Sequence, residues 1–209
     1  MLFALLVLTF TLSSAEPDAI YARFENILEK HVSPKGLVDY SGLTEKDMEI
    51  KGLVTGLAEF DHTLFQEDSE REAFWINTYN ILVIESILDN YPIKASRMKS
   101  FMYPENSVRH ISNVFARPNF PYQGDTLSLD DIEHNILRSE FKDPRIHFAL
   151  VCGAVDCPPL RMSAYRSDRD SSPTSATSAL TAIQSCFRRY SRGLAVTLLT
   201  SQQRRTSPA

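Results

Sequence analysis

Arg71 to Asn90, REAFWINTYNILVIESILDN, constrains the fold more than any other stretch of the chain. Drawn as a helix, it carries apolar residues on nearly every side, so several neighbours must surround it rather than one face resting on a surface. Tyr91-Pro92 sets its end, because the residue before a proline is pushed out of the α region. Asn77 and Asn80 lie three residues apart inside the apolar run, and Glu85 falls on the same side as Asn77. Buried amides of this kind tie a helix to loops by hydrogen bonds, or they face a ligand. Both roles remain open for the pair.

The rest of the chain supplies the neighbours. Ile20, Phe24, Ile27, Leu28 and Val32 recur at helical spacing and predict an amphipathic helix over Pro17 to His31, ended by Ser33-Pro34-Lys35-Gly36. Leu37 to Tyr40 reads as a short extended piece. A second helix is expected from about Glu45 to Phe60, with Met48, Leu53, Leu57 and Phe60 pointing inward. Loops and short strands fill Pro92 to Leu127, with Gln123-Gly124-Asp125 as a turn between two extended pieces. Ser128 caps a further helix, with Asp131 three residues on; Leu129, Ile132, Ile136 and Leu137 form its buried stripe, and Glu133 falls inside that stripe. The pattern predicts an α+β fold: a single domain with a central buried helix, further helices and a small, mostly antiparallel sheet.

Composition excludes some functions. A net charge of −4 in 209 residues argues against nucleic acid as the main partner, since phosphate binding needs a basic excess. No phosphate-binding glycine loop is present, and no cofactor is expected. Residues 1–15, MLFALLVLTFTLSSA, read as a signal peptide cleaved before Glu16, which predicts a secreted or periplasmic protein. The apolar run is too short to cross a bilayer, so no stable membrane span is expected after cleavage. Residues 17–166 form the expected domain. Residues 167–209 differ in kind, with nine Ser, six Thr and six Arg but no Lys or Glu, and read as a disordered or aberrant tail.

Chemistry concentrates in RIHFALVCGAVDCPPLR, Arg145 to Arg161, where an apolar, strand-like run ends in Cys152, Gly153 and Cys157. One reading is a thiol hydrolase or acyltransferase with Cys152 as nucleophile, His134 as base and Glu133 or an Asn of the central helix as the orienting group. His147 is the rival base; in a strand it faces away from Cys152, five residues on. Glu133 and His134 are adjacent on a helix and point about 100° apart, so a direct contact between them is not expected. A second reading bridges Cys152 to Cys157, which removes the nucleophile. The spacing of four residues between these cysteines, with no second ligand pair, predicts no metal. The other class of function is a binding module for a small molecule, peptide or protein, in which Arg138, Arg145 and Arg161 receive an anionic group, with Asn77 and Asn80 nearby. The alternative for these arginines is ion pairing with Asp130, Asp131, Glu133, Asp143 or Asp156.

AFWINTYNILVIESILDNYPI, LSLDDIEHNILRSEF and DPRIHFALVCGAVDCPPLRMSAY together resemble the domain-of-unknown-function family 547, from about Ala73 to Tyr165. The resemblance implies a single α+β domain of the kind found in exported bacterial proteins and in multidomain eukaryotic ones. Trp75, Asn77, Asn80, Glu133, His134, Arg138, Arg145, His147, Cys152, Cys157, Pro158 and Arg161 stand at its motif positions. After Tyr165 this chain departs from the family's helical continuation, as a truncated variant or a misread gene would.

Overall fold

A computed structural model describes residues 17–154 and 158–166. The expected signal peptide, the tail from 167 and Cys157 lie outside the described residues. The elements run α1 (Pro17–His31), α2 (Tyr40–Leu43), α3 (Asp47–Glu59), α4 (Asp68–Leu88), β1 (Phe120–Tyr122), β2 (Asp125–Leu127), a π-helix (Asp131–Phe141) and α5 (Ile146–Ala149). Single 3-10 turns occupy Thr44–Lys46, His62–Leu64 and Val108–His110.

The apolar circumference of α4 has the consequence expected of it. Every residue from Ala73 to Ile84 is buried, including Trp75 and Phe74. Its first turn is held by Glu70, whose carboxylate accepts from the Glu67 N–H at 3.2 Å. Helix α3 packs along one side through Ile50, Leu53 and Leu57, the π-helix packs along another, and α1 backs α3. Phe60, Phe65 and Phe74 cluster with Trp75 and Tyr122 at the N-terminal half of α4. Asp18 and Glu25 of α1 receive the Arg166 guanidinium, which also lies over the Tyr21 ring, so the end of the described chain returns to its beginning.

The sheet is a single antiparallel hairpin, pairing Phe120 with Leu127 and Tyr122 with Asp125. Gln123 (φ 49°) and Gly124 (φ 92°) make the turn, and two successive positive φ values match the twist of a two-residue hairpin. Among the described residues it is the only sheet.

Three local expectations are corrected. Met48 does not point inward: it is 78% exposed, because Ile50, Leu53 and Leu57 already fill the face of α3 turned to the core. The segment from Glu45 is divided, a 3-10 turn preceding α3. The strand expected over Arg145 to Val151 is instead the one-turn helix α5, with extended backbone only from Leu150. The turn at Asp143-Pro144 explains this: Asp143 Oδ1 accepts from the Arg145 N–H at 2.8 Å and the Asp143 carbonyl accepts from the Ile146 N–H at 3.2 Å, so the chain enters the segment already turning. Among the described residues no partner strand lies beside the segment to draw it into a ladder.

Two amides on α4 hold the chain segments that cross it. Asn80 Nδ2 donates to the Ala149 carbonyl at 3.0 Å while its Oδ1 accepts from the Val151 N–H at 3.0 Å. Asn77 repeats the arrangement on Tyr165, donating to its carbonyl at 2.9 Å and accepting from its N–H at 2.8 Å. Each side chain thus replaces a strand partner for backbone that crosses a helix with no edge to offer. Replacing Asn80 with Leu should leave Ala149 C=O and Val151 N–H buried without partners, a loss of about 2–4 kcal/mol. Urea unfolding of Asn80→Leu measures it; an unchanged midpoint would show that the segment is held by other contacts.

Candidate functional site

Downstream of Asn80's contacts the chain lies flat on α4. Gly153 has φ +73°, and a Cβ there would sit 2.3 Å from Ile87 Cδ1, with Val83 beyond it. Glycine is required at this position by contact with the core helix and by a left-handed backbone. Cys152 is half-buried immediately before this turn. It is engaged with a partner.

Beside this loop stands the π-helix. Ser128 and Asp131 cap its start reciprocally: Ser128 Oγ accepts from the Asp131 N–H at 3.1 Å, and Asp131 Oδ2 accepts from the Ser128 N–H at 2.9 Å. Lys142, at φ 55°, ends it in a left-handed conformation. Its winding decides which side chains meet. In an α-helix, residues five apart are rotated by about 500°, leaving them about 140° apart on the surface. Bonding from i to i+5 widens the turn and returns a side chain five positions on to nearly the same face. Glu133 and Arg138 are such a pair: Arg138 Nε and Nη2 both donate to Glu133 Oε1, at 3.0 and 2.7 Å.

Arg138 also reaches α5. Its Nη2 stands 3.2 Å from His147 Nδ1, and a guanidinium only donates, so Nδ1 accepts and the proton of neutral His147 is on Nε2. Beneath them Glu133 lies against Tyr79 of α4. Burial, first, and then the Glu133 charge hold the Tyr79 hydroxyl above the usual phenol range. The result is a polar patch of Glu133, Arg138 and His147, open to solvent through Arg138 and His147 and rooted on a buried tyrosine.

The remaining residues singled out in the sequence take separate places. His134 is exposed on the π-helix, with no hydrogen bond or ion pair among the described residues. Glu133 therefore orients Arg138 and not His134. Arg145 grips Asp143, with Nε 2.8 Å from Oδ2, and holds that carboxyl below the usual range. Arg161 lies over the Tyr165 ring, 4.5 Å from its centre. Each of the three arginines is thus engaged with a partner, and the amide groups of Asn77 and Asn80 with backbone. Among the described residues no group of three His, Cys, Asp or Glu side chains is placed to hold a metal, and no helix is long and apolar enough to cross a membrane.

The family DUF547, described as protein of unknown function, matches residues 62–172. The chain belongs to the DUF547 family. The matched part of this DUF547 protein contains α4, the hairpin, the π-helix, α5 and the Cys152 turn, whereas α1 to α3 precede it. Neither the curated proteins nor the solved structures provide a match.

Two further groups carry unusual electrostatics. His62 Nδ1 is 2.5 Å from the Tyr122 hydroxyl, which in turn donates to the Phe60 carbonyl at 3.1 Å, and burial lowers the His62 pKa. Glu85 is not a tie to the loops held by Asn77 and Asn80. It faces Lys51, Asp47 and Asp89, and burial, followed by the Asp89 charge, raises its carboxyl to about 7. The signal was present in the sequence as Glu85 and Asp89, like charges one helical turn apart.

Because the folded state holds the Glu85 proton more tightly than the unfolded chain, this group's contribution is complete below its ordinary pKa and is lost as pH rises towards 7. After allowance for solvent screening, Glu85→Gln should gain about 1 kcal/mol over the native sequence at alkaline pH and nothing in mild acid. Urea unfolding of both proteins across that range is the measurement, and parallel curves would contradict the assignment.

Proposed function

We propose that this DUF547 protein is exported and works as a binding module for an anionic small molecule or for a carboxylate on a peptide or protein. The observation that carries this reading is Arg138. Glu133 and His147 engage Nε and Nη2, while the Nη1 hydrogens have no partner among the described residues and the side chain is 42% exposed. A guanidinium fixed on one edge and open on the other is pre-organised for an oxyanion, and the Nε2–H of His147 adds a second donor beside it. The helix winding that creates the Glu133–Arg138 pair is of a type concentrated at functional sites.

Cys152 serves this reading as a structural staple, bridged to Cys157. Its engagement with a partner supports that role, as does the packing of Gly153 on Ile87, which leaves no room on that side for a substrate. A thiol hydrolase would need a base oriented towards Cys152, whereas Glu133 is taken by Arg138. Export follows from the leader-like residues 1–15 and suits a bridge.

Alkylation of the protein before and after reduction, read at Cys152 and Cys157 by mass spectrometry, separates the two classes. Protection of both until reduction is the expected result. Rapid labelling of Cys152 below neutral pH without reductant would revive the thiol enzyme. For the ligand, thermal melting against a panel of carboxylates and phosphate monoesters should show stabilisation that Arg138→Ala reduces at least about tenfold in apparent affinity.

A further inference from the structure

Among the described residues six large apolar side chains stand exposed, and three fall within five positions: Met98 at 82%, Phe101 at 80% and Met102 at 57%. Scattered exposed hydrophobics need no explanation, but a cluster does. The backbone beneath them is ordered. Ser96 C=O accepts from the N–H groups of Lys99 and Ser100, each at 2.9 Å, and Lys99 C=O accepts from Met102 and Tyr103 at 2.9 and 3.0 Å. These are successive helical turns, in which residues three and four apart share a side, so Met98, Phe101 and Met102 form one ridge.

A single buried imidazole holds both feet of this tip. His110 Nδ1 accepts from the Ser96 N–H at 3.1 Å, and His110 Nε2 donates to the Pro104 carbonyl at 2.9 Å. Lys99 Nζ adds a bond to the Arg109 carbonyl at 2.8 Å. The ridge is therefore presented by a built element, which removes much of the ordering cost of using it.

Charge indicates what the tip meets. Residues 94–109 contain Lys94, Arg97, Lys99 and Arg109 against a single acid, Glu105, in a chain whose net charge is −4. Lys94, Arg97 and Arg109 are exposed. Apolar side chains at the apex of a basic rim are the arrangement that seats a protein in the headgroup layer of an anionic bilayer. We propose that this tip is a membrane-docking element: Met98, Phe101 and Met102 enter the boundary between headgroups and acyl chains, and Lys94, Arg97 and Arg109 pair with lipid phosphates. The contact lies in the plane of the surface and spans nothing. It is independent of Arg138 and of the state of Cys152.

Flotation with vesicles tests it, using phosphatidylcholine alone and phosphatidylcholine with roughly one-third phosphatidylserine. Proteins beginning at Glu16, as export would leave them, are compared, so that the arginines beyond 166 contribute equally to each. The native sequence should float with the anionic vesicles and much less with the neutral ones. Exchange of Met98, Phe101 and Met102 for Ser should weaken this more than about tenfold. Lys94→Ala and Arg97→Ala should each weaken it about fivefold, and high salt should remove the advantage of the native sequence over these two variants. All replaced side chains are at the surface, and circular dichroism and thermal melting verify the fold. Equal flotation of the native and triple-Ser proteins would overturn the proposal, as would absence of binding. Self-association that the triple variant abolishes, without lipid binding, would assign the ridge to a second copy and overturn it too.

Discussion

The bidentate amide contacts of Asn77 and Asn80 are what the rest of the structure depends on. A helix buried on all sides has no free backbone groups with which to hold another chain segment, because its own are used along its axis. Segments crossing it must nevertheless bury their peptide groups, and unpaired ones would each cost on the order of 1–3 kcal/mol. Side-chain amides supply both a donor and an acceptor at the right separation, and two of them fix the chain at Ala149–Val151 and at Tyr165. The turn of Cys152 and Gly153 is placed between those two fixed points.

Fixing the loop also fixes α5, and through it His147, relative to the π-helix. The polar patch is thus assembled from two elements whose separation is set by a third. Glu133 would be costly inside an apolar stripe if it were unpaired. Arg138 pairs with it, and the same guanidinium joins the stripe to His147. Tyr79 underneath is protected from ionising by burial, so the patch rests on a neutral floor.

Much of the fold was legible. The central helix announced itself through apolar residues on every side, the hairpin through Gln123-Gly124, and the helix start through Ser128 with Asp131. The segment after Arg145 reads as a strand because an apolar run of that length has no distinctive period. The informative residues were Asp143-Pro144, a turn-forming pair just before it. At the site, the ion pairs of Arg138 with Glu133 and of Arg145 with Asp143 were among the alternatives open from sequence. The link from Arg138 to His147 was not legible, since it depends on π winding and a reading at 100° per residue places Glu133 and Arg138 apart. Nor was the apolar tip, whose ridge depends on hydrogen bonds in a segment that reads as loop.

The position of α3 has a consequence for how this family is delimited. Its Ile50, Leu53 and Leu57 cover one side of α4, yet all three precede the matched residues, which begin at 62. The span recognisable by similarity is therefore smaller than the unit that folds. A gene fragment cut at the boundary of recognition would express the central helix with one of its walls removed. Sequence kinship here records the elements that build the polar patch, and the elements that shield the central helix from water lie partly outside it.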